Sequence, residues 1–190
     1  MIRAFIGVRL EPEVTAKIAD VQRQLRERIP GVRWVEQANF HFTLKFLGPV
    51  AEERIPRVAQ ALRELLGDFC PFVVSARGIG VFPDIRRPRV LWVGLGSDKL
   101  EPLAMAVEQK MEAAGFEREE RPFRPHLTLG RWREAAKASV NVRAELERWK
   151  EENFGNSLVK EVILFQSTLR PGGAVYSELE LFHLAAPPQG

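Results

Sequence analysis

Apolar and polar residues follow two different periods along the chain. Short stretches that alternate every second residue are typical of strands, and longer stretches with apolar residues every three or four positions are typical of helices. The pattern predicts strands over 2–10, 40–48, 71–82, 87–96, 121–132, 157–169 and 174–184. It predicts helices over 11–29, 51–67 and 98–116, and a charged, solvated helical region over 133–153.

Glycine and proline residues mark the predicted ends of several elements. Gly48 and Pro49 are expected to stop the strand that precedes them, and Gly67 and Gly115 to close two helices. The last two strands are expected to form a hairpin around residues 170–173. No linker or low-complexity tract divides the chain, so we expect one domain.

The two halves of the chain repeat the order strand, helix, strand with His-apolar-Thr-apolar. This HxTx motif occurs at 41–44 and again 85 residues later at 126–129. The same shift carries apolar positions within 5–10 onto apolar positions within 90–95. We therefore predict an α+β fold over 1–190 with two related lobes, each an antiparallel sheet backed by helices, around a central groove.

Composition limits the class of protein. No stretch approaches the roughly 20 apolar residues of a membrane span, and Arg9 and Glu11 interrupt the apolar start too early for a signal peptide. A single cysteine, Cys70, excludes an internal disulfide and suits a reducing cytosol. We expect a cytoplasmic protein without membrane contact, and a monomer because the predicted groove is self-contained.

The charge permits an anionic ligand without identifying one. The net charge is +3, and 21 of the 28 lysine and arginine residues are arginines. The planar guanidinium of arginine suits phosphate better than a point charge does.

Each HxTx motif places one imidazole and one hydroxyl on the same face of its strand. Because side chains alternate across a strand, His41 and Thr43 point one way. Phe42, Leu44 and Phe46 are expected to point the other way, into a core.

The second motif presents His126 and Thr128 in the same manner, so a two-fold relation would bring two imidazoles and two hydroxyls together. Imidazoles on opposite sides of a phosphorus could perform both proton transfers of an in-line displacement. Threonine hydroxyls could donate hydrogen bonds to the non-bridging oxygens. This chemistry requires no metal or other cofactor, and the histidines lack the spacing of a metal site.

These motifs and their flanks resemble a known family. The chain is similar to the two-histidine phosphoesterases, above all to the bacterial and archaeal RNA 2′,3′-cyclic phosphodiesterases, also called 2′-5′ RNA ligases. The likeness covers nearly the whole chain and is carried by "RAFIGVRL", "HFTLKFLG", "GVFPDIRRPRVLWVGL", "RPHLTLGR" and "FQSTLRPGGAVYSEL".

The resemblance implies hydrolysis of a terminal 2′,3′-cyclic phosphate on RNA to a 2′-phosphomonoester. It implies that His41 is the proton donor to the leaving O3′ and that His126 is the proton acceptor that activates water. Thr43 and Thr128 would hold the phosphate oxygens. The sequence by itself does not assign donor and acceptor, since the two half-sites are nearly symmetrical.

Basic residues beside the motifs are candidates for substrate binding. The resemblance points to Arg131 as a phosphate ligand, although simple alternation puts it on the face opposite His126, so a bulge at Gly130 is needed. Lys45 shares a face with His41 by the same count and could extend a basic floor, or be a charge at the groove edge. Arg124 ranks lower because Pro125 intervenes.

Aromatic residues in the flanks have two interpretations. Trp34, Phe82, Trp92 and Trp132 could stack on RNA bases, or they could pack in the core. His183 alternates with apolar neighbours and lacks a threonine partner, so we interpret it as structural.

Other functions remain open from the sequence. The same site run in reverse would join RNA ends through a 2′-5′ linkage, and a relative could act on 2′-5′ oligoadenylates or a small cyclic phosphate. A non-catalytic RNA-binding module is a third possibility, although it would have no reason to keep both histidines.

Overall fold

The computed structural model describes residues 1–132, 140–170 and 173–185. The strands are β1 (Ile2–Val8), β2 (Val32–Trp34), β3 (Phe42–Val50), β4 (Phe72–Phe82), β5 (Val90–Gly96), β6 (His126–Trp132), β7 (Asn153–Val159), β8 (Glu161–Arg170) and β9 (Gly173–His183). The helices are α1 (Pro12–Arg28), α2 (Ile55–Leu66), α3 (Leu100–Ala113) and α4 (Val140–Trp149), with short 3₁₀ turns at Gln37–Asn39 and Glu52–Arg54.

The strands form one curled antiparallel sheet made of two halves. Its order is β7-β4-β5-β6-β3-β1-β8-β9, and β2 pairs with β6. The halves meet where Phe42 of β3 lies opposite Leu127 of β6. The predicted α+β, two-lobed architecture is confirmed.

The 85-residue repeat is visible in the strand pairing. Val8 pairs with Phe42 in the first half, and Val93 pairs with Leu127 in the second. The helices that follow the first strand of each half exchange lobes, since α1 packs on β7 and α4 whereas α3 packs on β3 and α2. The two halves are therefore interlocked as well as similar.

Alternation along the strands separates two apolar regions. The larger region lies between the sheet and the helices and includes Phe42 and Leu127, which are almost fully buried. A smaller cluster of Phe5, Ile163 and Phe165 lies on the other side of the sheet. We call this other side, which carries the histidines and threonines of both motifs, the motif face.

Several predicted strand boundaries are wrong, and the strand predicted over 121–132 begins only at His126. The strand that begins after His41 continues through Gly48 and Pro49 to Val50, because the positive φ of Gly48 lets the chain stay paired with β1. The region 157–169 contains no single strand: β7 ends at Val159 and pairs with β4, whereas β8 pairs with β1. The continuous apolar character on both sides of Lys160 concealed this break.

The charged region contains α4 and the start of β7, and its part over 133–139 lies outside the described residues, as do residues 171–172 of the predicted hairpin. Of the helices in the described residues, none is both long enough and apolar enough to span a membrane.

Candidate active site

The two HxTx motifs lie side by side at the junction of the two sheet halves. Because Phe42 is opposite Leu127 in an antiparallel pair, His41 lies beside Thr128 and Thr43 lies beside His126. All four side chains are half-buried. The fold thus brings together the four residues that the sequence singled out.

Each imidazole is held by the carbonyl oxygen of the residue two positions earlier. The Nδ1 of His41 is 2.7 Å from the Asn39 oxygen, and the Nδ1 of His126 is 2.6 Å from the Arg124 oxygen. A carbonyl oxygen can only accept a hydrogen bond, so Nδ1 carries the proton in both rings. The Nε2 atoms are therefore the ones left for proton transfer.

Burial lowers the pKa of both histidines. Burial is the main reason that the pKa of His41 falls to about 4. The hydrogen bond to Asn39 raises this pKa, whereas the charges of Arg9 and Arg131, and His126, lower it further. Burial and the Arg131 charge also lower the pKa of His126. Both rings are consequently neutral at pH 7 when no anion is bound.

A bulge in β6 turns Arg131 toward the histidines. Leu91 pairs with Gly130 and Trp92 with Thr128, so Leu129 is the extra residue. Beyond it Gly130 is buried and Arg131 is exposed, which is the reverse of simple alternation. The bulge required by the sequence argument is present, and the proposed phosphate contact of Arg131 stays a prediction.

Glycine is required at position 130 for a steric reason. A Cβ at this position would lie 2.4 Å from Cγ1 of Val32, which belongs to the neighbouring strand β2. The bulged segment of β6 is thus closely covered by β2.

The prediction that Lys45 extends the floor of the groove is wrong. The same bulge occurs in β3, where Ile6 pairs with Lys45 and Gly7 with Thr43, so Leu44 is the extra residue. Lys45 therefore points to the helices and is only 4% exposed. Its Nζ lies 2.6 Å from a carboxylate oxygen of Glu108 on α3.

The bulge in β3 also overturns the prediction for Phe46. This side chain was expected in the core, but it is 64% exposed and lies beside Phe5 on the motif face. Position 46 corresponds to Arg131 in the repeat, so the matched bulges expose both positions.

Gln22 of α1 supports the β6 bulge, and the sequence analysis did not identify it. Its Nε2 donates to the backbone oxygens of Leu129 and Val35, at 2.9 and 2.8 Å, and the side chain is buried. A signal was available in the sequence, because Gln22 is a polar residue on the apolar face that Val21 and Leu25 define.

The four candidate aromatic residues separate into two groups. Phe82 lies with its ring centroid 5.0 Å from that of His126, and Trp92 lies 5.0 Å from Phe82. Trp132 is buried in the main core and Trp34 packs against it, so the core interpretation holds for these two.

Arg124 and His183, the remaining candidate residues, lie in different parts of the structure. Arg124 holds His126 through its backbone oxygen and extends its guanidinium over the Phe82 ring, 5.8 Å from the centroid. His183 is exposed at the end of β9, with Nδ1 3.5 Å from Glu161. Across the described ranges, no group of three or more His, Cys, Asp or Glu side chains is arranged to hold a metal ion.

The model of the LigT-like phosphoesterase family matches residues 8–92 and 94–176. The chain belongs to this family. Its relatives include the RNA 2′,3′-cyclic phosphodiesterase of Archaeoglobus fulgidus, 35% identical over 182 residues, which cover 95% of this chain and 99% of that protein. The Aquifex aeolicus protein of the same name is 33% identical over 187 residues, with 97% and 98% covered.

Solved structures agree with the fold. A crystal structure from Thermus thermophilus superposes with a TM-score of 0.82 at 31% identity, covering 97% of this chain and 99% of that one. The apo form of Escherichia coli LigT gives a TM-score of 0.77 at 25% identity, covering 97% and 98%. The resemblance recognised from the motifs is confirmed.

Proposed function

We propose that this protein hydrolyses a terminal 2′,3′-cyclic phosphate on RNA to a 2′-phosphomonoester. The observation that carries the proposal is the pair of adjacent imidazoles whose Nδ1 atoms are both fixed by backbone carbonyls. The substrate class is supported by relatives named RNA 2′,3′-cyclic phosphodiesterase that match almost end to end.

In the proposed reaction, Nε2 of His126 accepts a proton from a water molecule while the oxygen of that water attacks phosphorus. The phosphorus–O3′ bond breaks in line with the attack, and protonated Nε2 of His41 gives its proton to O3′. One water is consumed, and the phosphate stays on O2′. The proton acquired by His126 can return to His41 through solvent after the product leaves.

His41 must gain a proton before it can act as donor. Its pKa of about 4 in the unoccupied site leaves it neutral at pH 7. A phosphate anion bound next to the ring raises that pKa, because an opposite charge favours the protonated form. We therefore propose that substrate binding itself helps to protonate His41.

The pH dependence of kcat/KM should reflect the lowered pKa values of His41 and His126. The active form of the histidine pair carries one proton, and this form is lost as the pH rises above both pKa values, which lie below 6.5. We expect a bell-shaped profile with its maximum below pH 6.5 and a decline of about tenfold per pH unit on the alkaline side. A profile from pH 4 to 9 that kept rising above pH 7 would contradict the assignment.

The threonine hydroxyls are proposed to stabilise the phosphate oxygens as negative charge develops. Replacing Thr43 or Thr128 with valine keeps the side-chain shape and removes the donor. We expect kcat to fall by about 10²–10³-fold for each variant. Thr168→Val, at an exposed position of β8, is the matched control and should leave kcat unchanged. Equal rates in all three variants would refute this role.

Arg131 is proposed to bind the phosphate, with its guanidinium drawn to the same anion that lies between the histidines. Its charge already acts on both rings. We further propose that the protein works as a monomer in the cytosol without a cofactor, since one chain supplies both motifs as one two-lobed unit.

The substrate class is tested with three forms of one RNA oligomer, ending in a 2′,3′-cyclic phosphate, a 3′-phosphate or a 3′-hydroxyl. We expect the protein to convert only the cyclic form, as resolved by chromatography. Adding an RNA with a 5′-hydroxyl tests the reverse, joining reaction. If the protein binds all three RNAs and converts none, it is a binding module and the proposal is wrong.

A further inference from the structure

Each motif histidine has one aromatic ring standing edge-on to it, and these two rings differ by one hydroxyl group. The Tyr176 ring stands edge-on to His41 with centroids 5.0 Å apart and an interplanar angle of 87°. The Phe82 ring stands edge-on to His126 at 5.0 Å and 88°. Because phenylalanine provides this packing beside His126, packing alone does not account for the hydroxyl of Tyr176.

The Tyr176 hydroxyl is a free donor next to the site. The ring is half-buried on the motif face and packs edge-on against Phe5. Within the described residues, the hydroxyl has no hydrogen-bond partner. Burial raises the pKa of Tyr176 against the opposing effect of Arg131, so the phenol keeps its proton at neutral pH.

Asn39 fixes Tyr176 and His41 relative to each other. Its backbone oxygen accepts the hydrogen bond from Nδ1 of His41. Its side-chain Nδ2 donates to the backbone oxygen of Ala174, two residues before Tyr176 on β9, at 2.9 Å. One residue thus aligns the imidazole with the strand that carries the phenol.

Positive charge also acts on the Tyr176 end of the site. The Arg131 charge acts on both His41 and Tyr176. Arg9 also acts on His41, and it forms an ion pair with Glu178, which follows Tyr176 by two residues on the same strand. An anionic group drawn to the histidines is therefore drawn toward Tyr176 as well.

We propose that the Tyr176 hydroxyl donates a hydrogen bond to a phosphate oxygen of the substrate at the His41 end of the site. The inference rests on the proposed function. It adds a chemical difference between the two half-sites to that of Arg131 and Phe46, because the ring edge-on to His126 belongs to Phe82 and has no hydroxyl. A nucleotide phosphate then binds in one orientation across a nearly symmetrical pair of histidines.

Tyr176→Phe tests this role, because it removes only the hydroxyl and keeps the ring contacts with His41 and Phe5. A hydrogen bond to a charged group accounts for about a 10- to 100-fold effect. We expect kcat/KM for the cyclic-phosphate oligomer to fall by that factor and the inhibition constant of inorganic phosphate to rise. The melting temperature should not change. Ser177→Ala, at the exposed next position, removes a hydroxyl from the other face and should match the wild type.

The outcomes separate this inference from the proposed function. If the wild type converts the oligomer and Tyr176→Phe stays within twofold of it, the Tyr176 role is wrong and the function stands. If Tyr176→Phe loses activity together with several degrees of melting temperature, the hydroxyl belongs to the fold and the inference is also wrong. If the wild type itself is inactive, the proposed function fails.

Discussion

Replacing either motif histidine with alanine should lower kcat by about 10²–10⁴-fold, the usual effect of removing a positioned proton donor or acceptor. Because both imidazoles are required for one displacement, His41→Ala and His126→Ala should have effects of similar size. The double variant should lose little more than either single variant, since the two residues act as a unit. Single-turnover rates with the cyclic-phosphate oligomer measure all three.

The control for this prediction is His183→Ala, which removes the third histidine. The His183 ring is exposed and lies in ion-pair geometry with Glu161, so the turnover of this variant should equal that of the wild type. Circular dichroism and thermal melting show that each variant is folded. Full turnover in either His41→Ala or His126→Ala would contradict paired catalysis.

Replacing Glu108 with alanine should lower the free energy of unfolding by roughly 3–5 kcal/mol, because it leaves the buried Lys45 ammonium without its carboxylate. Lys45 would keep its hydrogen bond to the backbone oxygen of Glu117, 2.8 Å from Nζ, but would lose the carboxylate in direct contact with it. Urea unfolding at pH 7 measures the loss. Asp20→Ala is the matched control, since its partner Arg23 and Asp20 itself are both well exposed, and it should leave stability nearly unchanged.

The double variant Lys45→Met/Glu108→Leu separates structure from substrate binding. Removing both charges together avoids an unpaired buried ion, so most of the lost stability should return. Its KM for the RNA oligomer should equal that of the wild type if Lys45 only joins β3 to α3. A large increase in KM with restored stability would revive the earlier prediction that Lys45 binds substrate.

The sequence was sufficient for the fold class because its two periodicities are strong and its repeat is in register. The shift of 85 residues that aligns the motifs also aligns the pairs Val8–Phe42 and Val93–Leu127. Once each HxTx strand enters its sheet in the same register, the histidines must meet at the junction. The juxtaposition of the two histidines therefore follows from the local sequence pattern and from the internal repeat.

Alternation failed immediately after each motif, and for the same physical reason. A bulge inserts one residue, Leu44 or Leu129, and reverses the faces of the side chains that follow it, up to the next bulge. The count therefore misplaced Lys45 and Phe46. For Arg131 a bulge was assumed from the family resemblance, and applying the same repeat to β3 would have corrected the other two.

Contacts between distant segments were beyond the reach of the sequence pattern. Tyr176 lies on the last strand, far from His41 in the sequence. The pairing of β8 with both β1 and β9 brings Tyr176 close to the His41 imidazole. The division of 157–169 between β7 and β8 depends on the same long-range pairing. Local periodicity carries no information about which strand lies next to which.

The most direct test of the central claim is the position of the phosphate in the product. The purified protein is incubated with an RNA oligomer ending in a 2′,3′-cyclic phosphate, in the presence of EDTA, and the product is examined by phosphorus NMR. Hydrolysis by the histidine pair with O3′ as the leaving group predicts a 2′-phosphomonoester, formed as fast in EDTA as in its absence. A 3′-phosphomonoester, or turnover that appears only after a divalent metal is added, would contradict it.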